Sequence, residues 1–241
     1  MPTLRHFVVF MLMVLGLSHC SAPPQFGAWE LPARSQFNEK PDHFLVTNTR
    51  CSDTPVGIVF YPGGLVHPGA YIPLAAALAE QCHRVIIAKM PLDLAVFDAD
   101  LGNKLQAQYA EQSTHWIIGG HSLGGAMAAQ LVGKPSAFEG LFLLAAYPAN
   151  DNSLAAQTIP ILSVSADQDG LATPAKIEAS RALLPASTKY VIIHGGNHAQ
   201  FGDYGPQKDD GIAQISGAEQ LAQTHAALAD FITTRITPSR Q

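Results

Sequence analysis

From Val56 onwards, short apolar runs alternate with helical patterns, and this alternation constrains the fold more than any other feature of the chain. Each run is apolar on both faces that a strand would present, which is typical of parallel strands in a sheet covered by helices on both sides. We therefore expect an α/β fold with a mostly parallel sheet of about six to eight strands. The predicted strands cover 56–61, 84–88, 115–118, 140–145, 160–165 and 189–193, and the predicted helices cover 70–81, 101–112, 123–132, 174–184 and 217–234. By contrast, residues 21 to about 45 predict an irregular, proline-containing lead-in.

A glycine-flanked serine follows the predicted strand 115–118. The sequence there is Gly-His-Ser-Leu-Gly, with Ser122 between Gly120 and Gly124, and a helical pattern begins directly after it. So sharp a strand-to-helix turn strains the serine backbone, and a side chain two residues to either side would clash with neighbouring backbone. The pattern therefore predicts a nucleophile elbow, with the serine hydroxyl above the sheet and a helix N-terminus that favours negative charge. The glycine spacing fits neither a dinucleotide-binding motif nor a P-loop. The remaining alternative is a tight turn with a purely structural role.

A nucleophilic serine needs a general base, and the base needs an acid that orients it. Functional groups of parallel sheets lie at the carboxyl ends of the strands, so both partners should follow strands. Asp167 and Asp169 follow the fifth predicted strand, and His194 and His198 follow the sixth. The chain order Ser, Asp, His is the order found in folds with this elbow. By position alone, either aspartate and either histidine could serve.

Four stretches of the chain resemble α/β-hydrolases, in particular the small bacterial hydrolases related to dienelactone hydrolase. They are VFYPGGLVHPGAYIPLAAALA, GGHSLGGAMAA, DGLATPAKI and GGNHAQFGDYG, and together they span most of the chain. The resemblance implies the α/β-hydrolase fold, with Ser122 as nucleophile, Asp169 as acid and His198 as base. It leaves Asp167 as a loop or capping residue and His194 as a packed or hydrogen-bonded one.

The resemblance also implies an oxyanion hole made of main-chain N–H groups. One donor is the residue after the nucleophile, Leu123. The second belongs to the loop after the strand 56–61, where Tyr-Pro-Gly-Gly-Leu resembles the family's His-Gly element. Either Gly64 or Leu65 would supply it. An ordinary strand-to-helix turn is the alternative for this loop.

The predicted activity is hydrolysis of an ester or thioester of a small or medium acyl group through an acyl-enzyme. The resemblance implies that a dehalogenase of this fold would carry an aspartate at position 122, so the serine argues against dehalogenase chemistry. Dienelactone hydrolase itself carries a cysteine as its nucleophile, and this chain differs from it there. Only about fifteen residues separate the strand 140–145 from the next, which is too short for a substantial helical cap, so we expect an open site. Acyl transfer to an acceptor other than water and non-catalytic binding on the same fold remain alternatives.

Composition and spacing argue against several other classes of function. The net charge is −5 and no basic patch is present, so nucleic acid is not an expected partner. His194 and His198 are four residues apart, as zinc ligands can be, but Gly-Gly-Asn between them is not helical and no glutamate follows His194. We therefore expect neither a metal nor a cofactor. The expected partner is a small ester substrate. The oligomeric state is left open.

The start of the 241-residue chain is typical of an export signal. Arg5 precedes an apolar segment of 11 residues, which is too short to span a bilayer. The segment ends in Leu-Ser-His-Cys, which resembles a bacterial lipobox, in which Cys20 would become the lipidated first residue. Cleavage after Ala22 is the alternative. We expect a signal over 1–22 and a single hydrolase domain over 23–241, periplasmic or anchored to the membrane as a lipoprotein.

Export changes the interpretation of Cys51 and Cys82. An oxidising compartment allows two such cysteines to form a disulfide. Cys51 lies shortly before one predicted strand, and Cys82 follows a helix that should return to the same edge of the sheet. A disulfide and two buried free thiols are both compatible with the sequence.

Overall fold

Eight strands form one sheet in the computed structural model, which describes residues 32–237. The strands are β1 (Ser35–Glu39), β2 (His43–Asn48), β3 (Val56–Tyr61), β4 (Arg84–Ala88), β5 (His115–His121), β6 (Gly140–Leu144), β7 (Ile161–Ala166) and β8 (Lys189–Ile193). Their order across the sheet is β1-β2-β4-β3-β5-β6-β7-β8. β2 is antiparallel to both of its neighbours, whereas all pairs from β4 to β8 are parallel. The predicted α/β architecture with a mostly parallel sheet is confirmed.

Helices cover both faces of the sheet. They are α1 (Ile72–Ala79), α2 (Leu101–Tyr109), α3 (Leu123–Val132), α4 (Pro174–Ser180) and α5 (Gly217–Phe231). Alternate residues of β3 enter two separate cores. Ile58 and Phe60 pack in the core that contains α1 and α5, while Val59 and Tyr61 pack in the core that contains α2 and α3. Because side chains alternate between the two faces and both faces are buried, the strand is apolar throughout.

The irregular lead-in predicted up to about residue 45 is wrong in its second half. β1 and β2 form an antiparallel hairpin, and β2 pairs in turn with β4. β1 is a short, mostly exposed and polar edge strand, so its sequence carries no apolar pattern that could reveal it. β2 is a strand because β4 supplies its hydrogen-bond partners, and such a tertiary contact is not encoded in local spacing.

No helical cap lies over the carboxyl edge of the sheet between β6 and β7. Residues 145–160, all of which the structure describes, form turns and extended chain without a helix. The expected absence of a substantial cap in this connection is confirmed. The carboxyl ends of the central strands are therefore not covered by an insertion at this point.

The predicted export signal over 1–22, including Cys20, lies outside the described residues. Between residues 32 and 237, no helix combines the length and the apolar character needed to cross a membrane.

A disulfide joins Cys51 to Cys82, which decides between the two possibilities that the sequence left open. Cys51 lies in the connection from β2 to β3, and Cys82 lies in the turn between α1 and β4. The two Cα atoms are 5.5 Å apart, and the bridge spans 31 residues of chain. It therefore fastens the antiparallel part of the sheet to the start of its parallel part.

We expect reduction of this disulfide to lower the free energy of unfolding by about 3–4 kcal/mol, because the closed loop restricts the unfolded chain. Urea unfolding of the chain without its first 22 residues, with and without dithiothreitol, measures the difference. The double variant Cys51→Ala/Cys82→Ala is the control, and its midpoint should be low and insensitive to the reductant. Equal midpoints for the oxidised and reduced wild type would contradict the expectation.

Candidate active site

The residues predicted to carry chemistry follow three strands at the carboxyl edge of the sheet. Ser122 follows β5, and we call residues 167–173, after β7, the acid loop and residues 194–201, after β8, the base loop. Because the three strands are parallel members of one sheet, their carboxyl ends lie at the same edge. The site is therefore assembled from segments that are far apart in the chain.

Ser122 occupies a strained turn between β5 and α3. Its φ is 51° and its ψ is −122°, a conformation that side-chain-bearing residues rarely adopt. A Cβ atom added at Gly120 would overlap the Tyr61 carbonyl oxygen, and one added at Gly124 would overlap the Pro62 carbonyl oxygen. The two glycines thus allow the end of β3 to contact the turn backbone to backbone. Ser122 is half-buried and stands at the N-terminus of α3, where the helix dipole favours negative charge.

A buried histidine–aspartate pair lies beside this turn. His198 Nδ1 is 2.8 Å from Asp169 Oδ2, and both side chains are almost completely shielded from solvent. The other carboxylate oxygen, Oδ1, accepts hydrogen bonds of 2.7 Å from the N–H groups of Leu171 and Ala172. The carboxylate is thus fixed by three donors, and a proton on His198 Nδ1 leaves Nε2 as the ring's acceptor.

The other two candidates form a second pair at the surface. His194 Nδ1 is 2.8 Å from Asp167 Oδ2, and the Gly195 N–H donates to Asp167 Oδ1. The hydrogen bond from His194, followed by that from Gly195, lowers the pKa of Asp167 below its usual value. His194 is exposed, whereas His198 is buried. The structure therefore separates the four residues into one buried and one exposed pair, and only the buried pair contacts the elbow.

His121, to which the sequence analysis assigned no role, connects the elbow with the loop after β3 and with the base loop. The Tyr71 hydroxyl accepts a hydrogen bond from the Gly63 N–H and lies 2.9 Å from His121 Nδ1. The His121 ring packs against the His198 ring, with 4.5 Å between centroids. Burial, with a contribution from His198, lowers the pKa of His121 well below its usual value, so this imidazole is neutral. No local pattern around Tyr71 marks it as a partner, because the contact crosses 50 residues of chain.

The loop after β3 contains the two residues predicted as alternative oxyanion donors. The Leu65 N–H donates to the Asp93 carbonyl oxygen at 2.8 Å and is therefore already engaged. Gly64 lies against the elbow, since a Cβ added there would be 2.9 Å from Leu123 Cδ2. Of the two predicted alternatives, the geometry favours Gly64 over Leu65.

Three large apolar side chains are exposed on this loop and on the segment after β4, and we call Leu65, Leu92 and Phe97 the apolar rim. Their exposed fractions are 49%, 77% and 55%, respectively. Leu65 and Leu92 have φ values of 60° and 55°, which are unfavourable for leucine. Ala95 is buried and anchors the segment that carries Leu92 and Phe97. The chain thus maintains two strained leucines whose side chains face solvent. Leu65 lies in the loop that contacts the elbow, and Leu92 directly precedes Asp93, whose carbonyl accepts from that loop.

The sequence profile of the alpha/beta hydrolase family matches residues 57–222, and the chain belongs to this family. The match covers the elbow, the acid loop and the base loop. The resemblance inferred from the sequence is confirmed. A search of curated proteins found no match.

Solved structures share the fold at low sequence identity. Est1E from Butyrivibrio proteoclasticus is 16% identical, with a TM-score of 0.58 over 86% of this chain and 100% of its own. The thermophilic esterase Est2 from Thermogutta terrifontis is 14% identical, with a TM-score of 0.57 over 88% of this chain and 96% of its own. An alpha-beta serine hydrolase homologue from Coxiella burnetii is 16% identical, with a TM-score of 0.56 over 86% of this chain and 100% of its own. These similarities establish a common fold.

Proposed function

We propose that the protein is a serine hydrolase that cleaves a carboxylic ester or thioester of a small or medium acyl group. The observation that carries the proposal is the buried His198–Asp169 pair beside a serine held in a strained turn at a helix N-terminus. This combination of nucleophile, base and orienting acid is the one that acyl-transfer chemistry requires. One of the similar structures is described as an esterase and another as a serine hydrolase homologue, which agrees with the proposal.

In the proposed reaction, His198 Nε2 removes the proton from the Ser122 hydroxyl as the oxygen attacks the acyl carbonyl carbon. The resulting imidazolium gives that proton to the leaving alcohol or thiol as the tetrahedral intermediate collapses to an acyl-enzyme. His198 then removes a proton from a water molecule as the water oxygen attacks the acyl-enzyme, and it returns this proton to the Ser122 oxygen as the carboxylic acid is released. Asp169 keeps the proton on Nδ1 and stabilises the imidazolium. The Leu171 and Ala172 N–H groups, which donate to its other oxygen, orient the carboxylate toward the ring.

The oxyanion of the intermediate is proposed to bind two main-chain N–H groups. The Leu123 N–H lies at the first position of α3, where no earlier helical carbonyl is available to it. Gly64 supplies the second, because the Leu65 N–H is bonded to Asp93 and Gly64 packs against Leu123. The loss of one such donor costs about 3 kcal/mol of transition-state stabilisation.

The apolar rim supports an apolar acyl or alkyl group as part of the substrate. A site without a helical cap between β6 and β7 exposes the elbow, and the rim places apolar surface next to the proposed donor of Gly64. Contact with these leucines would remove both substrate and protein apolar surface from water. Such contact gives the strained backbone of Leu65 and Leu92 a function.

We also propose that the protein is exported, either to the periplasm or as a lipoprotein anchored through Cys20. The Cys51–Cys82 disulfide supports export, since such bridges persist in oxidising compartments. Metabolic labelling with radioactive palmitate tests the anchor, with Cys20→Ala as the control. Label in the wild type that is lost in the variant is the expected result. A wild-type protein that is soluble in the periplasmic fraction and carries no label would indicate cleavage after Ala22 instead.

We expect wild-type protein to hydrolyse short and medium p-nitrophenyl esters and Ser122→Ala to lose at least about 10³-fold in kcat, because the nucleophile is removed. The assay uses the chain without its first 22 residues, and a fluorophosphonate probe should label only the wild type. Circular dichroism shows whether the variant is folded. If the wild type is inactive and is not labelled, the triad is not functional and a binding protein is indicated. If new esters form when an alcohol is added, the protein transfers the acyl group to an acceptor other than water.

We expect Leu92→Ala to lower kcat/KM for p-nitrophenyl octanoate about 5- to 10-fold relative to p-nitrophenyl acetate, because each buried CH₂ contributes about 0.8 kcal/mol. Alanine keeps the Cβ atom and thus the same backbone constraint at φ 55°. Ile192→Ala is the matched control, since Ile192 is also an exposed aliphatic residue but lies on β8. An equal loss on both esters, or the same selectivity change in the control, would remove the rim from the substrate site.

A further inference from the structure

One carboxylate outside the proposed triad connects the two loops that carry it. Asp210 lies between the base loop and α5 and accepts four main-chain hydrogen bonds. Its Oδ1 accepts from the N–H groups of Gly170 at 3.1 Å, His198 at 3.2 Å and Gly211 at 2.8 Å, and its Oδ2 accepts from that of Ala199 at 2.8 Å.

Three of these four donors belong to the acid loop or the base loop. Gly170 directly follows Asp169, and Ala199 directly follows His198. We propose that Asp210 is a positioning residue, which holds the Asp169–His198 pair at the distance and orientation that the reaction of Ser122 requires. This inference rests on the proposed function.

The contact between the 209–211 segment and the acid loop is made by main chain, so a movement at Asp210 passes directly to the loop that carries Asp169. A Cβ atom added at Gly170 would overlap the Asp209 carbonyl oxygen, and one added at Gly211 would overlap the Gln168 carbonyl oxygen. No flexible side chain lies between these two backbones to absorb a shift. The 209–211 segment and the acid loop must therefore move together.

A carboxylate fits this position better than an amide. All four partners are N–H donors, and an ionised carboxylate has two oxygens that only accept. In Asp210→Asn one oxygen becomes an NH₂ group, which opposes at least one main-chain N–H with a second donor. To relieve this mismatch, the 209–211 segment and the loop that carries the opposed N–H would move apart.

Other hydrogen bonds keep the base loop attached when Asp210 is changed. The Gln220 side chain accepts from the Asn197 N–H at 3.0 Å and donates to the Asn197 carbonyl oxygen at 2.8 Å. The Asn197 side chain donates to the Gly211 carbonyl oxygen at 2.9 Å. Asp210→Asn should therefore displace the pair without unfolding the domain.

We expect Asp210→Asn to reduce kcat for p-nitrophenyl butyrate about 10²-fold with KM changed less than about twofold, because a displaced base impairs the reaction more than binding. The rate of fluorophosphonate labelling should fall in parallel. Asp210→Glu, which retains a carboxylate, should recover part of kcat. Activity is measured at a temperature at which circular dichroism shows every variant folded.

Two control variants separate the proposed positioning effect of Asp210 from the effect of removing a negative charge and from the effect of lower stability. Asp209→Asn removes the same charge one residue away, and asparagine tolerates the left-handed φ of 65° at this position. Cys51→Ala/Cys82→Ala lowers stability far from the site. Both controls should keep wild-type kcat.

A kcat for Asp210→Asn equal to that of Asp209→Asn would overturn the inference while leaving the proposed function intact. If the wild type itself is inactive, the proposed function fails. Proton NMR then tests independently whether Asp210 holds the Asp169–His198 hydrogen bond. A low-field Nδ1–H signal that disappears in His198→Gln identifies the pair. The signal should be lost or shifted in Asp210→Asn and kept in Asp209→Asn; an unchanged signal in both would also overturn the inference.

Discussion

The close approach of the end of β3 to the turn between β5 and α3 is the constraint on which the rest of the structure depends. Gly120 and Gly124 leave space for the main-chain oxygens at the end of β3, so the two segments meet backbone to backbone. The turn that results holds Ser122 in a conformation that an unconstrained residue would leave, and it brings Gly64 against Leu123. The proposed nucleophile and the proposed oxyanion donors are therefore positioned by a single packing contact, at the edge of a sheet whose two faces each pack an apolar core.

The polar part of the site follows a different rule from the cores. A carboxylate withdrawn from water is unfavourable unless donors surround it. The buried Asp169 has three donors, and the partly buried Asp210 has four. Nearly all of these donors are main-chain N–H groups of the acid loop, the base loop and the segment that follows. The loops are thus held by hydrogen bonds, whose directionality determines the position of the His198 imidazole more narrowly than apolar packing would.

Local spacing was a reliable guide wherever a segment was buried on both faces. All six predicted strands exist, because runs such as 56–61 are apolar on both sides of a covered sheet. The hairpin of β1 and β2 was missed, because its exposed edge strand depends on a partner rather than on its own composition. The helices begin near their predicted starts, but α1, α2, α4 and α5 end earlier, and the residues beyond α2, α4 and α5 continue in tighter or wider turns.

By itself, the sequence determined the alternation of strands and helices, the glycine-flanked turn at Ser122, and the placement of the acid and base candidates after strands. These features depend on spacing along a few consecutive residues. The position of the acid and base candidates along the chain left open which aspartate meets which histidine, although the family resemblance implied Asp169 and His198. The tertiary structure pairs Asp169 with His198 in the interior and Asp167 with His194 at the surface, and it alone shows that Leu65 donates its N–H to Asp93. It also decided that Asp210 reaches a loop 40 residues away. Hydrogen bonds between distant segments depend on angles and on distances of a few tenths of an ångström, which arise only once the sheet has packed.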